Sequence, residues 1–263
     1  FYDNGGYGVY TDNSLSFTVE QSTLYNNTIG GIRVPINSAA MISGSVIENN
    51  GLGILIDNGA LPTIINNQIT QNGTGIRVIE VGATKPTITD NTFSGNTDWG
   101  IENLGNQELV AKFNYWGSSL GPVVATNPTG NGDKVTLGNV DYTPWRYGAT
   151  DLPVIEVDSN VSTNTTWSSD TVYHLKNNIS VLSGAVLTVQ PGSIVKFAPN
   201  VSLTVDGSII ADGTTDKLIF FTSEKDDAAG GDSNNDGDAT LPDRGDWGQI
   251  TINGTGSSFS YGV

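Results

Sequence analysis

One acidic run carries most of the chemistry that can be read from residue types and spacing: Asp232-Ser233-Asn234-Asn235-Asp236-Gly237-Asp238, followed by Thr240 and Asp243. A hard divalent cation wants several oxygen donors on a backbone that turns sharply. Here oxygen-bearing side chains stand at positions one, three, five, seven, nine and twelve, with Gly at six. The pattern predicts a calcium ion held by Asp232, Asn234, Asp236, Asp238, Thr240 and Asp243. Asp at the last place is shorter than the Glu that gives bidentate coordination, and the flanks read as strands rather than helices. The expected role is therefore structural, keeping a protruding loop ordered. The bland alternative is a solvated acidic loop that also takes in Asp226, Asp227 and Asp246.

Other chemistries are poorly supplied. His174 is the sole histidine and there is no cysteine, so a Cys/His nucleophile and a His-based zinc site are both excluded. A Ser–His–Asp triad has no nucleophile-elbow motif behind it. Arg33 and Arg77 fall in one outward column with Leu55 between them and Glu102 beyond, a mixed ladder that reads as a solvated face rather than the base of a lyase. Seven Asn-x-Ser/Thr sequons, at Asn26, Asn72, Asn160, Asn164, Asn178, Asn200 and Asn253, are candidate N-glycosylation sites.

The elements that position these groups are repeats. Phe1, Leu24, Ile47, Ile69 and Phe93 are each followed by Asn and then by Gly-Val or Gly-Ile, at Gly8, Gly31, Gly53, Gly75 and Gly100, spacings of 22 to 25 residues. Val19, Ile42, Ile64 and Ile88 run five residues ahead, and between the two apolar columns lie Ser22, Ser45, Asn67, Asn91 and Asn114. Three short strands and three turns fit a period of about 23 residues, whereas a βαβ unit needs about 30 or more. The reading is an all-β, right-handed parallel β-helix of about ten coils. Like residues stack along its axis, Gly takes φ > 0 at the corners, and Asn bonds the neighbouring coil.

Ala111, Asn114 and Trp116 continue the columns, so residues 1–117 are regular coils and Trp116 fills the last core place. Breakers at Gly121-Pro122, Asn127-Pro128, Gly130-Asn131-Gly132-Asp133 and Pro144-Trp145 predict a loop excursion over 118–150, anchored by Tyr142 and Trp145. Coils resume over 151–263 with a wider rhythm. There Leu187-Thr188-Val189 with Ser193-Ile194 and Leu203-Thr204-Val205 with Ser208-Ile209 look like one repeated unit, and the acidic loop spans 226–246.

These stretches, together with Asn114-Tyr115-Trp116-Gly117, Asp141-Tyr142-Thr143-Pro144-Trp145, Gln190-Pro191-Gly192 to Lys196-Phe197 and Gly245-Asp246-Trp247-Gly248, resemble secreted right-handed parallel β-helix proteins of the pectate-lyase-like superfamily. The likeness is to the non-catalytic, repeat-rich surface members of bacteria and archaea. It covers nearly the whole chain and implies fold and an extracellular, cell-surface location more than activity.

Lys and Arg number 11 against 27 Asp and Glu, a formal charge of −16, which repels nucleic acid and anionic membrane surfaces and suits cations. No apolar run approaches the roughly 18 residues of a membrane helix, and the first residues are already in the repeat, so no leader is expected in this stretch. An uncapped solenoid exposes a strand edge at each end. Phe259-Ser260-Tyr261-Gly262-Val263 can be written straight into Phe1-Tyr2, placing Phe259 five residues before Phe1, the offset of Val19 from Leu24. The expectation is head-to-tail stacking of copies through Phe1, Tyr2 and Val9 at one end and Phe259, Tyr261 and Val263 at the other. The function expected is a non-enzymatic extracellular structural unit of a fibre, sheath or tandem-repeat surface protein. A glycan-binding adhesin, with Trp145 and Trp167 as its exposed rings, is the first rival. A polysaccharide lyase or hydrolase is the second.

Overall fold

The computed structural model describes residues 1–12, 16–236 and 239–263. Among them every regular element is a strand, stacked in parallel as a right-handed β-helix of about nine turns in place of about ten. The chain divides into two compact units, Phe1–Ala149 and Thr150–Val263.

In the first unit three sheets share each coil. One holds Tyr7–Tyr10, Gly30–Val34, Leu52–Ile56, Thr74–Val78 and Trp99–Asn103. The second holds Thr18–Glu20, Met41–Ser43, Thr63–Ile65 and Thr87–Thr89, and the third Thr23–Tyr25, Val46–Glu48, Gln68–Thr70 and Thr92–Ser94. Register follows the apolar columns: Val19, Ile42, Ile64 and Ile88 pair in sequence, as do Leu24, Ile47, Ile69 and Phe93. All eight are buried, and the Phe93 ring stacks on Trp116 at 4.9 Å. Each such aliphatic side chain contributes roughly 1.5–3 kcal/mol on leaving water.

Two asparagine ladders lock the corners. Asn4, Asn27, Asn50, Asn72 and Asn96 form one, Asn67, Asn91 and Asn114 the core of the other; in each, one residue's backbone N–H and Nδ2 both donate to the Oδ1 of the next coil, at 2.7–3.3 Å. The residue before each ladder position is left-handed: Asp3, Asn26, Asn49, Gln71 and Gly95 in one row, Gln21, Gly44, Asn66, Asp90 and Phe113 in the other, at φ 45–71°.

The recurring glycines are not these corners, which corrects the reading of Gly8, Gly31, Gly53, Gly75 and Gly100 as positive-φ residues. None of the five has positive φ. They sit where adjacent backbones close on one another: a Cβ at Gly31 would stand 2.8 Å from the Gly53 carbonyl oxygen, and one at Gly75 2.5 Å from that of Gly100. The row is conserved in type along the axis because each coil meets the same wall.

The first ladder ends on Asp133, whose Oδ2 accepts Asn96 Nδ2 at 2.6 Å and Asn96 N at 3.2 Å. The terminal rung needs only to accept, so a carboxylate serves. Burial pushes its carboxyl above the ordinary range against the lowering effect of those hydrogen bonds. A folded pKa above the unfolded one means this group's stabilisation is complete below about pH 3.9 and is lost as pH rises through the folded value. Asp133→Asn should therefore stabilise the first unit at neutral pH, by about 1 kcal/mol, and flatten that part of its pH dependence; urea midpoints at pH 4 and pH 8 check this.

Part of the 118–150 stretch returns to the stack. Gly132–Lys134 pairs with Pro122–Val123, Val135 bridges Ile101, and Val140–Asp141 pairs with Leu109–Val110. Tyr142 is buried, and half-buried Trp145 packs on the same core while its Nε1 donates to Ser119 O at 3.1 Å.

The second unit repeats the plan with its own sheets: Val154–Val157, Val172–Leu175, Ile194–Phe197 and Phe220–Ser223; Ile179–Val181, Leu203–Val205 and Ile250–Ile252; and Thr165–Trp167, Val186–Val189, Ser208–Asp212 and Ser258–Ser260. Leu187 pairs with Ile209 and Leu203 with Ile179, so the apparent repeat matching Leu187 to Leu203 joins strands of different sheets. Every strand of a solenoid alternates inward apolar with outward polar residues, so similarity over five residues does not say which sheet a strand belongs to.

Candidate metal centre

The strand Phe220–Ser223 is followed by a long loop before Ile250–Ile252 resumes the stack. The loop lies on the outer face of the sheet below it: a Cβ at Gly230 would press on Val172 Cγ2 and Ile194 Cδ1, and Leu152 N donates to Gly230 O at 3.0 Å. A solenoid's outward row is normally wet. Here Glu156, His174, Lys196 and Thr222 form one such row in register, yet His174 is 1 % and Lys196 0 % exposed.

Beneath this cover the charges are arranged in two groups. His174 lies between carboxylates, Nε2 2.8 Å from Glu224 Oε2 and Nδ1 3.3 Å from Glu156 Oε2. Burial raises the Glu156 carboxyl, but its contacts with His174 and Lys176 outweigh this and leave it below the usual range. Lys196 Nζ donates to Gly231 O at 2.5 Å. Burial lowers its pKa, while Asp227, Asp226, Asp151 and Asp232 pull the other way.

Asp227, Asp232 and Asp236 each offer a carboxylate oxygen, and the three lie within 4.8 Å of one another. The loop turns on itself to bring them together: Asp236 N donates to Asp232 Oδ1 at 3.2 Å, Asn234 Nδ2 to Asp236 Oδ2 at 3.0 Å, and Thr240 Oγ1 to the same Oδ2 at 2.5 Å. Among the described residues, Asn234 Oδ1 and Asp236 Oδ1 are buried without a hydrogen-bond partner. Three carboxylate oxygens converging at this spacing are the donor chemistry of a hard divalent cation.

Of the ligands expected from spacing, Asp232, Asn234, Asp236 and Thr240 therefore share one site. Asp238 lies outside the described residues. Asp243 stands elsewhere: it is exposed, its backbone N–H donates to Asp246 Oδ2 at 2.7 Å, and Asp246 is paired with Lys225 at 2.7 Å. Without helices to impose a twelve-residue loop, nothing carries the twelfth position back to the first. Asp227 takes its place from the N-terminal side. The signal for it was the acidic pair Asp226-Asp227 directly after a strand.

The other singled-out residues fall as follows. Arg33 reaches Asp57 at 2.9 Å, a bond that raises the Arg33 pKa, and Arg77 reaches Glu102 at 2.5 Å, so both guanidiniums are ion-paired between neighbouring coils. Trp167 is 4 % exposed and stacks on Tyr173 at 4.8 Å inside the core, so it offers no platform for a sugar. Phe1, Tyr2, Phe259, Tyr261 and Val263 are exposed and Val9 is half-buried.

The sequons separate cleanly. Asn26, Asn160, Asn164, Asn178, Asn200 and Asn253 are exposed. At Asn160, Asn164 and Asn178 the Oδ1 accepts a backbone N–H of the next coil, from Ser180, Val186 and Ser202, a bond that a sugar on Nδ2 leaves in place. Asn72 is 0 % exposed, with Nδ2 donating to Ile47 O and Asn96 Oδ1. Expressed through a glycosylating secretory pathway, the chain should carry no glycan at Asn72 under peptide mapping by mass spectrometry, while the exposed sequons carry any that are added.

Residues 1–119, a little under half of the chain, match the family described as "Right handed beta helix region". A stretch of 98 residues, 37 % of this chain, is 29 % identical to Protein bark beetle of Drosophila melanogaster, of which it spans 3 %. No solved structure matches.

Proposed function

We propose that this chain is a non-enzymatic extracellular structural protein, one unit of a head-to-tail stacked β-solenoid in a cell-surface fibre, sheath or tandem-repeat surface protein. The observation that carries the reading is the continuity of the stacking: buried apolar columns pair in register from coil to coil, and asparagine side chains hydrogen-bond along the same axis. One contact repeated along an axis is what a stacked fibre or a tandem-repeat surface protein is built from, since each added coil buries the same columns again.

The acidic loop fits the same role. Asp151, Asp226, Asp227 and Asp232 surround one buried lysine and Asp236 adjoins two of them, an excess of negative charge that a calcium ion at Asp227, Asp232 and Asp236 would balance, pinning the loop over the sheet. Glycans on the exposed sequons and the charge of −16 would keep such a fibre solvated.

Electron microscopy of material from the native source tests the reading. Filaments with an axial layer spacing of about 4.8 Å are the expected result. Discrete particles, or release of unsaturated products from uronate polymers in the presence of calcium, would overturn it in favour of the adhesin or the lyase.

A further inference from the structure

We infer that a hollow on the outer face of the first unit, with the Phe113 ring as its platform, binds a neutral pyranose of an oligosaccharide. The inference is independent of the stacked-fibre reading, since it asks only that the first unit be folded.

The hollow lies where a sheet parts. Thr87–Thr89 is the last strand of the four-stranded sheet that begins at Thr18–Glu20, whereas Leu109–Val110 in the following coil pairs with Val140–Asp141 as a separate two-stranded sheet. At the neighbouring corner the coils still touch, Asn91 N and Nδ2 donating to Asn114 Oδ1 at 2.9 and 3.0 Å. The space beside that corner has a volume of about 350 Å³ and is lined by Lys85, Pro86, Thr87, Thr89, Lys112 and Phe113. Ligand clefts begin at roughly 300 Å³.

Phe113 is out of place as packing. The same corner position holds Gln21, Gly44, Asn66 and Asp90 in the earlier coils, and all five are left-handed, Phe113 at φ 59°. Gly, Asn and Asp take that conformation at little cost, whereas a bulky ring takes it under strain. A buried ring could offset the strain through the core, as Phe93 and Trp116 do by stacking on each other. Phe113 does not. It is half-buried, and among the described residues it neither packs against the core cluster nor stacks on another ring. A strained ring that serves no core is the mark of a residue held for what it meets outside.

The ligand class follows from what surrounds the ring. An aromatic face accepts the C–H face of a pyranose, whose polar edge then needs donors and acceptors together. Thr87 and Thr89 bring hydroxyls, which are both. Lys85 Nζ lies 3.1 Å from Glu108 Oε2 and Lys112 Nζ 3.0 Å from Asp141 Oδ2, so each ammonium brings a carboxylate with it. The two pairs cancel in charge. An anionic sugar would gain little from ammoniums already paired and would approach a chain of charge −16; a neutral one meets no such opposition.

Phe113→Asn separates the ring from the strain, because it removes the platform and installs the residue type that holds the same corner at Asn66. The first unit should then unfold at a thermal midpoint about 2–4 °C higher, while sugar binding is lost. Binding is read on the whole isotope-labelled chain as shifts of the Thr87, Thr89 and Lys112 amide resonances, with cellotetraose and maltotetraose as neutral probes and tetragalacturonate as the anionic one, each at millimolar concentration. A neutral tetramer should shift those amides in the parent and in Phe113→Tyr, and bind at least roughly tenfold more weakly to Phe113→Asn. No shift with either neutral tetramer, or tetragalacturonate binding as tightly as they do, overturns the proposal. A lowered midpoint in Phe113→Asn overturns it as well, since the ring would then be packing.

Discussion

Replacing Asn72 with Ala should lower the stability of the first unit by about 3–5 kcal/mol, read as a drop in the urea midpoint at unchanged slope. The side chain is wholly buried and fully used: Oδ1 accepts Asn50 N and Asn50 Nδ2, each at 3.0 Å, and Nδ2 donates to Ile47 O at 2.9 Å and Asn96 Oδ1 at 3.0 Å. Alanine leaves the Asn50 N–H without a partner in a dry corner, at about 1–3 kcal/mol, takes from the Ile47 carbonyl one of its donors, and opens a void beside them. Asn72→Asp should be worse at neutral pH than at pH 4, because the carboxylate would face the Ile47 carbonyl and Asn96 Oδ1 with nothing to donate. Asp133 escapes that penalty only because it is the last rung and faces donors. Equal tolerance of Asn72→Ala and of Ala at an exposed Asn such as Asn58 would show that the ladders are incidental to stability.

Lys196→Met should make the second unit depend on calcium. The ammonium is buried against Gly231 O with Asp227, Asp226, Asp151 and Asp232 around it. Removing that positive charge takes away its repulsion of the divalent ion proposed at Asp227, Asp232 and Asp236. Without calcium the uncompensated carboxylates should loosen the loop, lowering the thermal midpoint and exposing the 224–246 stretch to protease. With calcium the variant should bind the ion at least roughly tenfold more tightly than the parent in titration calorimetry, since the competing charge is gone, and recover its thermal midpoint. Methionine of similar length avoids a cavity, so a loss that calcium does not reverse would count against the metal centre rather than against packing.

The stacking was legible because a solenoid writes its contacts into a single period. Leu24, Ile47, Ile69 and Phe93 lie side by side in space for the same reason that they recur in sequence, and Ser45, Asn67, Asn91 and Asn114 line up between them. What each repeated residue does was less legible. Gly75 lies in the strand Thr74–Val78 and Asp90 at a corner of the same coil, and the left-handed place belongs to Asp90, while Gly75 is required by a carbonyl of the next coil. A residue's own torsion and its neighbour's approach select glycine alike, and only the stacked backbone distinguishes them.

The acidic site divides along the same line. Asp232, Asn234 and Asp236 are close in sequence, so local chain geometry alone brings the two carboxylates together and the Asn234 amide against Asp236. Asp227 joins them and Asp243 leaves because the loop's path is set by what it lies on, Val172, Ile194 and the Lys196 ammonium, and by Lys225 holding Asp246. The burial of His174 and Lys196 has the same origin: alternation put both on the wet side of their strands, and a loop ordered some thirty residues later covered them. By itself the sequence determined the period, the inward columns and the ladder positions, since those depend on nearest-neighbour coils. Tertiary structure decided which acids converge and which outward residues lose their water, since those depend on how one non-repeating segment settles on a repeating surface.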